Sequence, residues 1–354
     1  MTQFKNYSYQ EIHLKEGFNL FYGKNGSGKT NILDAVHYLA VGKSRFVPQD
    51  RMSIQYHQDF FRIESIFLDS QEKIKVILKY QSSQKNLEVN DLPVKRLAEH
   101  IGRIGIVLIA PDDLEVIDAG SALRRKYIDM TLSQVDRGYL QDLSQYKKLL
   151  DQRNAALKHS NYPDEVLFHV YAEKMDPLAR NIYQKRKRFV AEIIPFFLKY
   201  YKQISGGKEK VGLKFESDLE SASLLELFNE SWTEDVRLKN TQKGCQRDDV
   251  QFLIGDHDVR YFGSQGQKKT FLLSLFLAQA DYLSHSMKST PLILLDDIFD
   301  KLDQERIKFL IQTLKDLHAR QIIMTDTSKE RLESIMHALQ EPLSAYGVDQ
   351  GKIY

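Results

Sequence analysis

One cysteine, Cys245, in a chain of 354 residues excludes an internal disulfide and fits a reducing compartment. No apolar run approaches the roughly 18 residues that a membrane-spanning helix needs. The opening stretch MTQFKNYSYQ lacks the apolar segment of a secretory signal. Neither sign of charge is in excess: 50 Lys and Arg stand against 48 Asp and Glu, a net +2. A nucleic-acid surface therefore has to be a local patch and not a property of the whole chain. Repeats and low-complexity tracts are also missing. What is present, 42% hydrophobic and 28% charged residues, is ordinary for a soluble, cytoplasmic protein long enough to bury a large core.

Against that background one stretch stands out, Gly23-Lys24-Asn25-Gly26-Ser27-Gly28-Lys29-Thr30. An apolar run (Phe18, Leu20, Phe21, Tyr22) precedes it, and a helical pattern (Ile32, Leu33, Ala35, Val36, Leu39) follows. Strand, glycine-rich loop and helix are the context in which GxxxxGK[ST] means a phosphate cradle. The glycines let backbone N–H groups turn inward, and the helix start adds partial positive charge. Lys29 reaches the β- and γ-phosphates in such a loop, and Thr30 offers its hydroxyl to Mg²⁺. The chain is expected to bind a nucleoside triphosphate.

Three segments follow from the patterning. Residues 1–110 read as mixed α/β, with an opening hairpin from Ile12 and Leu14 into Phe18–Tyr22. Alternating strands follow at Phe60–Leu68, Lys73–Tyr80 and Leu87–Val89, with a turn at Asn90-Asp91. Residues 111–240 are mainly helical, including a helix over Glu165–Tyr201 with kinks expected near Pro177 and Pro195. Residues 241–354 return to α/β. Strands are expected at Val250–Ile254 and Asp258–Phe262, and helices at Ser264–Leu283 and Gln304–Leu317. An α/β core is thus interrupted by a helical insert and resumed.

Two further sites fall in the last segment. Leu292-Ile293-Leu294-Leu295 is an apolar strand ending in Asp296 and Asp297. A buried strand fixes its last side chain, which suits Asp296 as a Mg²⁺ ligand near Thr30. Asp297 is placed to position or deprotonate an attacking water. Ser264-Gln265-Gly266-Gln267 opens a helix, with Ser264 as N-cap and exposed N–H groups forming a second anion site.

The phosphate loop, the S-Q-G-Q segment and the D-D pair together resemble an ABC-type ATPase head of the SMC/Rad50 branch with an inserted helical second lobe. T-Q-F-K-N-Y, G-K-T-N-I-L-D-A, the stretch Ala110–Asp129 and T-Q-K-G-C-Q-R-D-D at Thr241–Asp249 narrow the resemblance to the RecF family of recombination mediators. That resemblance implies an ATP-dependent homodimer. Each ATP would lie between Gly23–Asn31 of one copy and Ser264, Gln265, Gly266 and Gln267 of the other, with Asp303 at the same interface. It also implies clamping of duplex DNA near single-strand gaps, RecR and RecO as partners in loading RecA, and weak, DNA-stimulated ATP hydrolysis that opens the clamp.

The chain departs from the family pattern in places. Lys5 stands where the family carries an arginine and loses bidentate geometry. Asp300 replaces a serine before Asp303, and Asp297, one methylene shorter than the usual glutamate, favours slow turnover. Met324-Thr325-Asp326 contains no switch histidine, and no residue there receives a role. For DNA the candidates are Arg124, Arg125 and the run Lys185-Arg186-Lys187-Arg188. The arginine pair equally suits bracing of the lobe, and a run like the second is most often just a solvated helix face. The rival reading in another class is the ATPase subunit of an ABC transporter, which would have a shorter insert and a glutamate after Asp296.

Overall fold

The computed structural model describes residues 1–68, 73–159, 164–287, 289–299 and 302–354. They divide into two compact units, Met1–Asp113 with Phe276–Tyr354, and Leu114–Leu275.

The first unit is built on a six-stranded sheet in the order Lys352–Ile353, Leu343–Asp349, Gly17–Tyr22, Gln321–Asp326, Leu292–Leu295 and Ile106–Ile109. All its pairings are parallel except that of the two C-terminal strands. Parallel strands are covered on both faces and so read as continuous apolar runs. Ile293, Leu294, Leu295, Ile322, Ile323 and Met324 are accordingly all buried. The helix Lys29–Val41 leaves the phosphate-loop strand and buries Ile32, Leu33, Ala35, Tyr38 and Leu39. It stops at Gly42, whose left-handed backbone (φ 73°) lets its N–H bond Tyr38 O.

A second sheet in this unit is antiparallel, in the order Tyr7–Tyr9, Thr2–Phe4, Phe60–Leu68, Lys73–Gln81, Gln84–Val89 and Leu92–Pro93. Its alternation is the one the sequence implies: Phe61 and Ile63 are buried while Arg62 and Glu64 are exposed. Asn90 and Asp91 turn with φ of 51° and 62°, the left-handed pair that matches strand twist in a tight hairpin. Asn90 Oδ1 also accepts the Lys75 N–H at 2.8 Å.

The opening hairpin differs from the expectation. Ile12 and Leu14 lie outside any strand. The hairpin is Thr2–Phe4 with Tyr7–Tyr9, closed by Lys5 at φ 51° and fixed because Phe4 and Tyr7, paired across it, are both fully buried. Gly17–Tyr22 joins the other sheet, between Gln321–Asp326 and Leu343–Asp349.

The second unit holds the helices Ser121–Val135, Arg137–His159 and Glu165–Ser205 with a three-stranded antiparallel sheet. The 41-residue helix Glu165–Ser205 continues through Pro177 and Pro195. Each proline removes one backbone hydrogen bond, and the buried stripe Phe168, Ala172, Met175, Ala179, Ile182, Phe189, Ile193, Phe197 offsets that loss. Residues 241–275 remain in this unit because Asp249–Ile254 pairs along its length with Val211–Glu216. Of the expected strand Asp258–Phe262 only Asp258 is extended, in the short strand His257–Asp258. Val259–Phe262 is a helical turn, since the Asp258 side chain accepts the Arg260 N–H at 2.7 Å and caps it. Among the described residues no helix is long and apolar enough to cross a membrane.

Candidate nucleotide-binding site

In the loop between Tyr22 and Lys29, two glycines are required by geometry. A Cβ on Gly23 would collide with the Val348 carbonyl oxygen, and one on Gly28 (φ 115°) with the Asn6 amide. Lys24, Asn25 and Gly26 are exposed, whereas Ser27, Gly28 and Lys29 are buried. Lys29 Nζ donates to Gly23 O at 2.8 Å and Lys24 O at 3.1 Å, although the side chain is only 5% exposed. Ser27 Oγ is buried without a hydrogen-bond partner among the described residues.

Thr30 and Asp296 meet although 266 positions separate them: Thr30 Oγ1 donates to Asp296 Oδ1 at 2.9 Å and lies 3.1 Å from Oδ2. The strand Leu292–Leu295 delivers the aspartate, and Asp296 N–H extends its ladder to Ile109 O at 2.9 Å. Burial raises the Asp296 carboxyl above the ordinary range; hydrogen bonds from Thr325 and Thr30 and the Lys29 charge oppose the rise. Asp297 follows in a left-handed conformation (φ 48°), its N–H bonded to Thr325 Oγ1 at 2.9 Å.

A buried ammonium resting on neutral carbonyls, an orphaned serine hydroxyl and a paired hydroxyl and carboxylate fit a triphosphate with a hard divalent cation. Hard cations select oxygen donors, and Thr30 and Asp296 supply them.

Sequence reasoning passed over the residues that brace this loop. Asn6 Nδ2 donates to Ser27 O at 2.9 Å, and Tyr7 OH to Gly28 O at 3.0 Å. From the other end of the chain, Gly351 N–H bonds Ser27 O at 3.1 Å. Asn31, grouped with the cradle by sequence, gives its amide to Asn6 Oδ1 at 2.8 Å and so ties the helix start to the hairpin. Lys5 makes a single ion pair with the fully buried Asp34 at 2.6 Å, and Asp34 also accepts from Ser44 Oγ and the Arg45 N–H. Asn6 and Tyr7 lie inside the F-K-N-Y segment that carried the family resemblance, so a signal for them was present. For Thr325 the family pattern marked only the segment Met324–Asp326 and gave its hydroxyl no role.

Ser264 and Gln267, in the second unit, close a reciprocal cap. Gln267 N–H donates to Ser264 Oγ at 3.2 Å and Ser264 N–H to Gln267 Oε1 at 2.7 Å. Ser264 and Gln265 are exposed and Gly266 is half-buried. In the first unit Asp303 caps the helix Gln304–Asp316 by accepting the Arg306 N–H, which holds its carboxyl below the usual range. Asp300 lies outside the described residues.

The basic candidates need correction. Arg186 is 2% exposed and bonds Asp129 and Asp248, each at 2.8 Å, and Cys245 O at 2.6 Å. It belongs to the interior because it continues the stripe Ile182, Arg186, Phe189, Ile193 at helical spacing. Arg124 makes a two-pronged bond to Asp249 at 2.7 and 2.8 Å, and Arg125 donates to Ser121 Oγ and Asp248 O, both at 2.6 Å. These three arginines brace the second unit. Lys185 pairs with Asp136 at 2.9 Å and Lys187 with Glu220 at 2.7 Å, while Arg188 is exposed. Cys245 packs into the same network, its thiol pushed up to about 12 by burial, so it stays protonated and unreactive.

A mostly parallel sheet carrying a phosphate loop, with an acidic strand end beside it and a helical insert in the chain, defines an ABC-type ATPase head of the SMC/Rad50 kind. Residues 1–351 match the family model of the RecF/RecN/SMC N-terminal domain. Within that class the chain belongs to the RecF family. It is 39% identical to the DNA replication and repair protein RecF of Bacteroides fragilis (strain YCH46), over 100% of this chain and 96% of that protein. With RecF of Flavobacterium johnsoniae it shares 36% identity over 98% of each chain. Among solved structures, the recombination mediator protein RecF with ATP, described as part of the RecFOR pathway, superposes with a TM-score of 0.88 at 27% identity, covering 100% of this chain and 95% of that one. An Smc head bound to a domain of ScpA, at 15% identity and a TM-score of 0.59, shares the fold.

Proposed function

We propose that the chain is an ATP-driven switch of DNA repair and replication, which binds ATP with Mg²⁺ at Gly23–Thr30 and hydrolyses it slowly. The observation that carries this reading is the hydrogen bond of Thr30 to Asp296 at 2.9 Å beside the buried Lys29. Solved RecF relatives are described with ATP and with ATPrS, which supports the choice of nucleotide. Lys29 neutralises phosphate charge and the loop N–H groups orient the phosphates. Thr30 and Asp296 hold the cation, whose chemistry is to draw charge from the phosphate oxygens. Asp297 orients the attacking water and accepts its proton. In-line attack needs little else from a protein beyond positioning and charge.

In the same reading ATP joins two copies, with the Ser264–Gln267 end of one, exposed at Ser264 and Gln265, against the phosphate loop of the other and Asp303 nearby. The joined pair closes on duplex DNA near gaps in the cytoplasm, acts with RecR and RecO to load RecA, and opens on hydrolysis. Arg124, Arg125 and Arg186 serve internal bonds, so the phosphate-binding groups of that surface are the exposed Arg188 together with Lys185 and Lys187, which would exchange their surface carboxylates Asp136 and Glu220 for phosphate. Sedimentation with and without ATP and duplex DNA tests the reading as a whole. The expected result is a single copy without ATP and a DNA-bound pair with it. A molecule that stays single at saturating ATP, and binds duplex equally well without it, would overturn it.

A further inference from the structure

The strand Gln321–Asp326 lies between the phosphate-loop strand and Leu292–Leu295. Its last ladder pair with the latter is Leu295 with Met324, so the next residues, Asp296 and Thr325, stand side by side beyond the ladder. Thr325 is fully buried. Its hydroxyl donates to Asp296 Oδ1 at 2.8 Å and accepts the Asp297 N–H at 2.9 Å. A hydroxyl has one proton and two lone pairs, so a single side chain meets both demands.

We propose that Thr325 is a positioning residue for hydrolysis, fixing the Asp296 carboxylate for the cation and the backbone turn that sets Asp297. This rests on the roles given to those aspartates above. Two hydroxyls, Thr30 and Thr325, converge on Asp296, and the carboxylate cannot rotate without losing one of them. Asp297 has a left-handed backbone (φ 48°), a region that L-residues keep only when neighbours hold it, and its N–H is held by Thr325. The next residue, Asp326, does different work: Arg331 Nη2 lies 2.7 Å from each of its oxygens, and Oδ1 also accepts the Ser328 N–H. It anchors the helix Lys329–Ala338, so of the two neighbours it is Thr325 that serves the site.

The test compares Thr325→Val, which removes the hydroxyl at nearly constant shape, with Thr325→Ser, which keeps it. In Thr325→Val, ATP affinity measured in EDTA should stay within about twofold of the parent, because the loop and Lys29 are untouched. Mn²⁺ affinity of the AMP-PNP complex, read by electron paramagnetic resonance, should fall by about tenfold or more, and kcat at saturating Mg²⁺ by at least as much. Thr325→Ser should recover both. A residue that only fills space would shift the unfolding midpoint without separating Mn²⁺ affinity from ATP affinity. Equal Mn²⁺ affinities in parent and Thr325→Val overturn the proposal. If the valine variant fails to fold, Thr325→Ser against Thr325→Ala carries the same comparison. A parent that binds no ATP even with Mg²⁺ present overturns instead the reading of the site on which the proposal rests.

Discussion

Buried positive charge is used in opposite ways at Arg186 and Arg153 of the second unit and at Lys29 of the first. In the second unit Arg186 meets Asp129 and Asp248, and Arg153, 1% exposed, meets Asp235 at 2.8 Å. In the first, Lys29 is nearly as buried, yet its ammonium rests on two neutral carbonyls of its own loop. An ion pair closed within the chain is architecture: removing one partner strands the other in a poorly solvating interior. A cation held by dipoles keeps its charge for an anion arriving from outside. The identity of the partner separates the two uses, and the degree of burial does not.

The largest effect that would test this contrast is on stability. Arg186→Met should cost about 3–5 kcal/mol, as expected when one side of a buried pair is deleted, while ATP affinity of the folded fraction stays within about twofold. Urea unfolding and calorimetry read the two quantities separately, and an unchanged midpoint would break the distinction. Lys29→Ala should behave in the reverse sense. Its ATP affinity should fall on the order of a hundredfold, the scale of a lost charged hydrogen bond, with little change in the unfolding midpoint.

Smaller effects sharpen the comparison. Ser264→Arg should leave the ATP affinity of a single copy intact and block ATP-dependent pairing in sedimentation, since the exposed cap end is then charged and enlarged. Replacing Lys187 and Arg188 by glutamine should lower the salt slope of duplex binding by roughly two, one unit for each phosphate charge no longer neutralised. An unchanged slope would return them to a plain solvated face. The smallest change is Asp303→Ala, which removes a helix N-cap and should cost about 1 kcal/mol at neutral pH. The Arg306 N–H holds the folded Asp303 carboxyl below its ordinary value, so this contribution is present above about pH 4 and is lost as pH falls through the lower, folded value. The gap between variant and parent should therefore close in acid.

Much of the site could be read along the chain because its parts are local. The phosphate loop sits between its own strand and helix, and Asp296 ends an unbroken apolar strand. Arg186 shares helical spacing with the buried Ile182, Phe189 and Ile193, but its place in four consecutive basic residues masks that period. The opening hairpin is not legible in the pattern, because Ile12 and Leu14 have strand-like spacing while Phe4 and Tyr7, the residues that bury, sit either side of a two-residue turn. Thr325 was beyond reach for another reason. Its role depends on the strand Gln321–Asp326 lying directly beside Leu292–Leu295, in the register that sets Thr325 next to Asp296, and residue pattern alone carries neither the neighbour nor the register. Knowledge of sheet order would have placed it beside Asp296 at once.

The phosphate-loop strand has only late-arriving neighbours. Gly17 pairs with Gln321, and Phe18 with Leu343, so neither flank of the strand exists until most of the polypeptide has been made. During synthesis the loop would emerge early and wait, without a sheet to stiffen it, for residues from the far end. Loop closure over such a span is slow. Nucleotide competence should therefore switch on late in translation, so a ribosome-bound chain halted before Leu343 should not capture ATP.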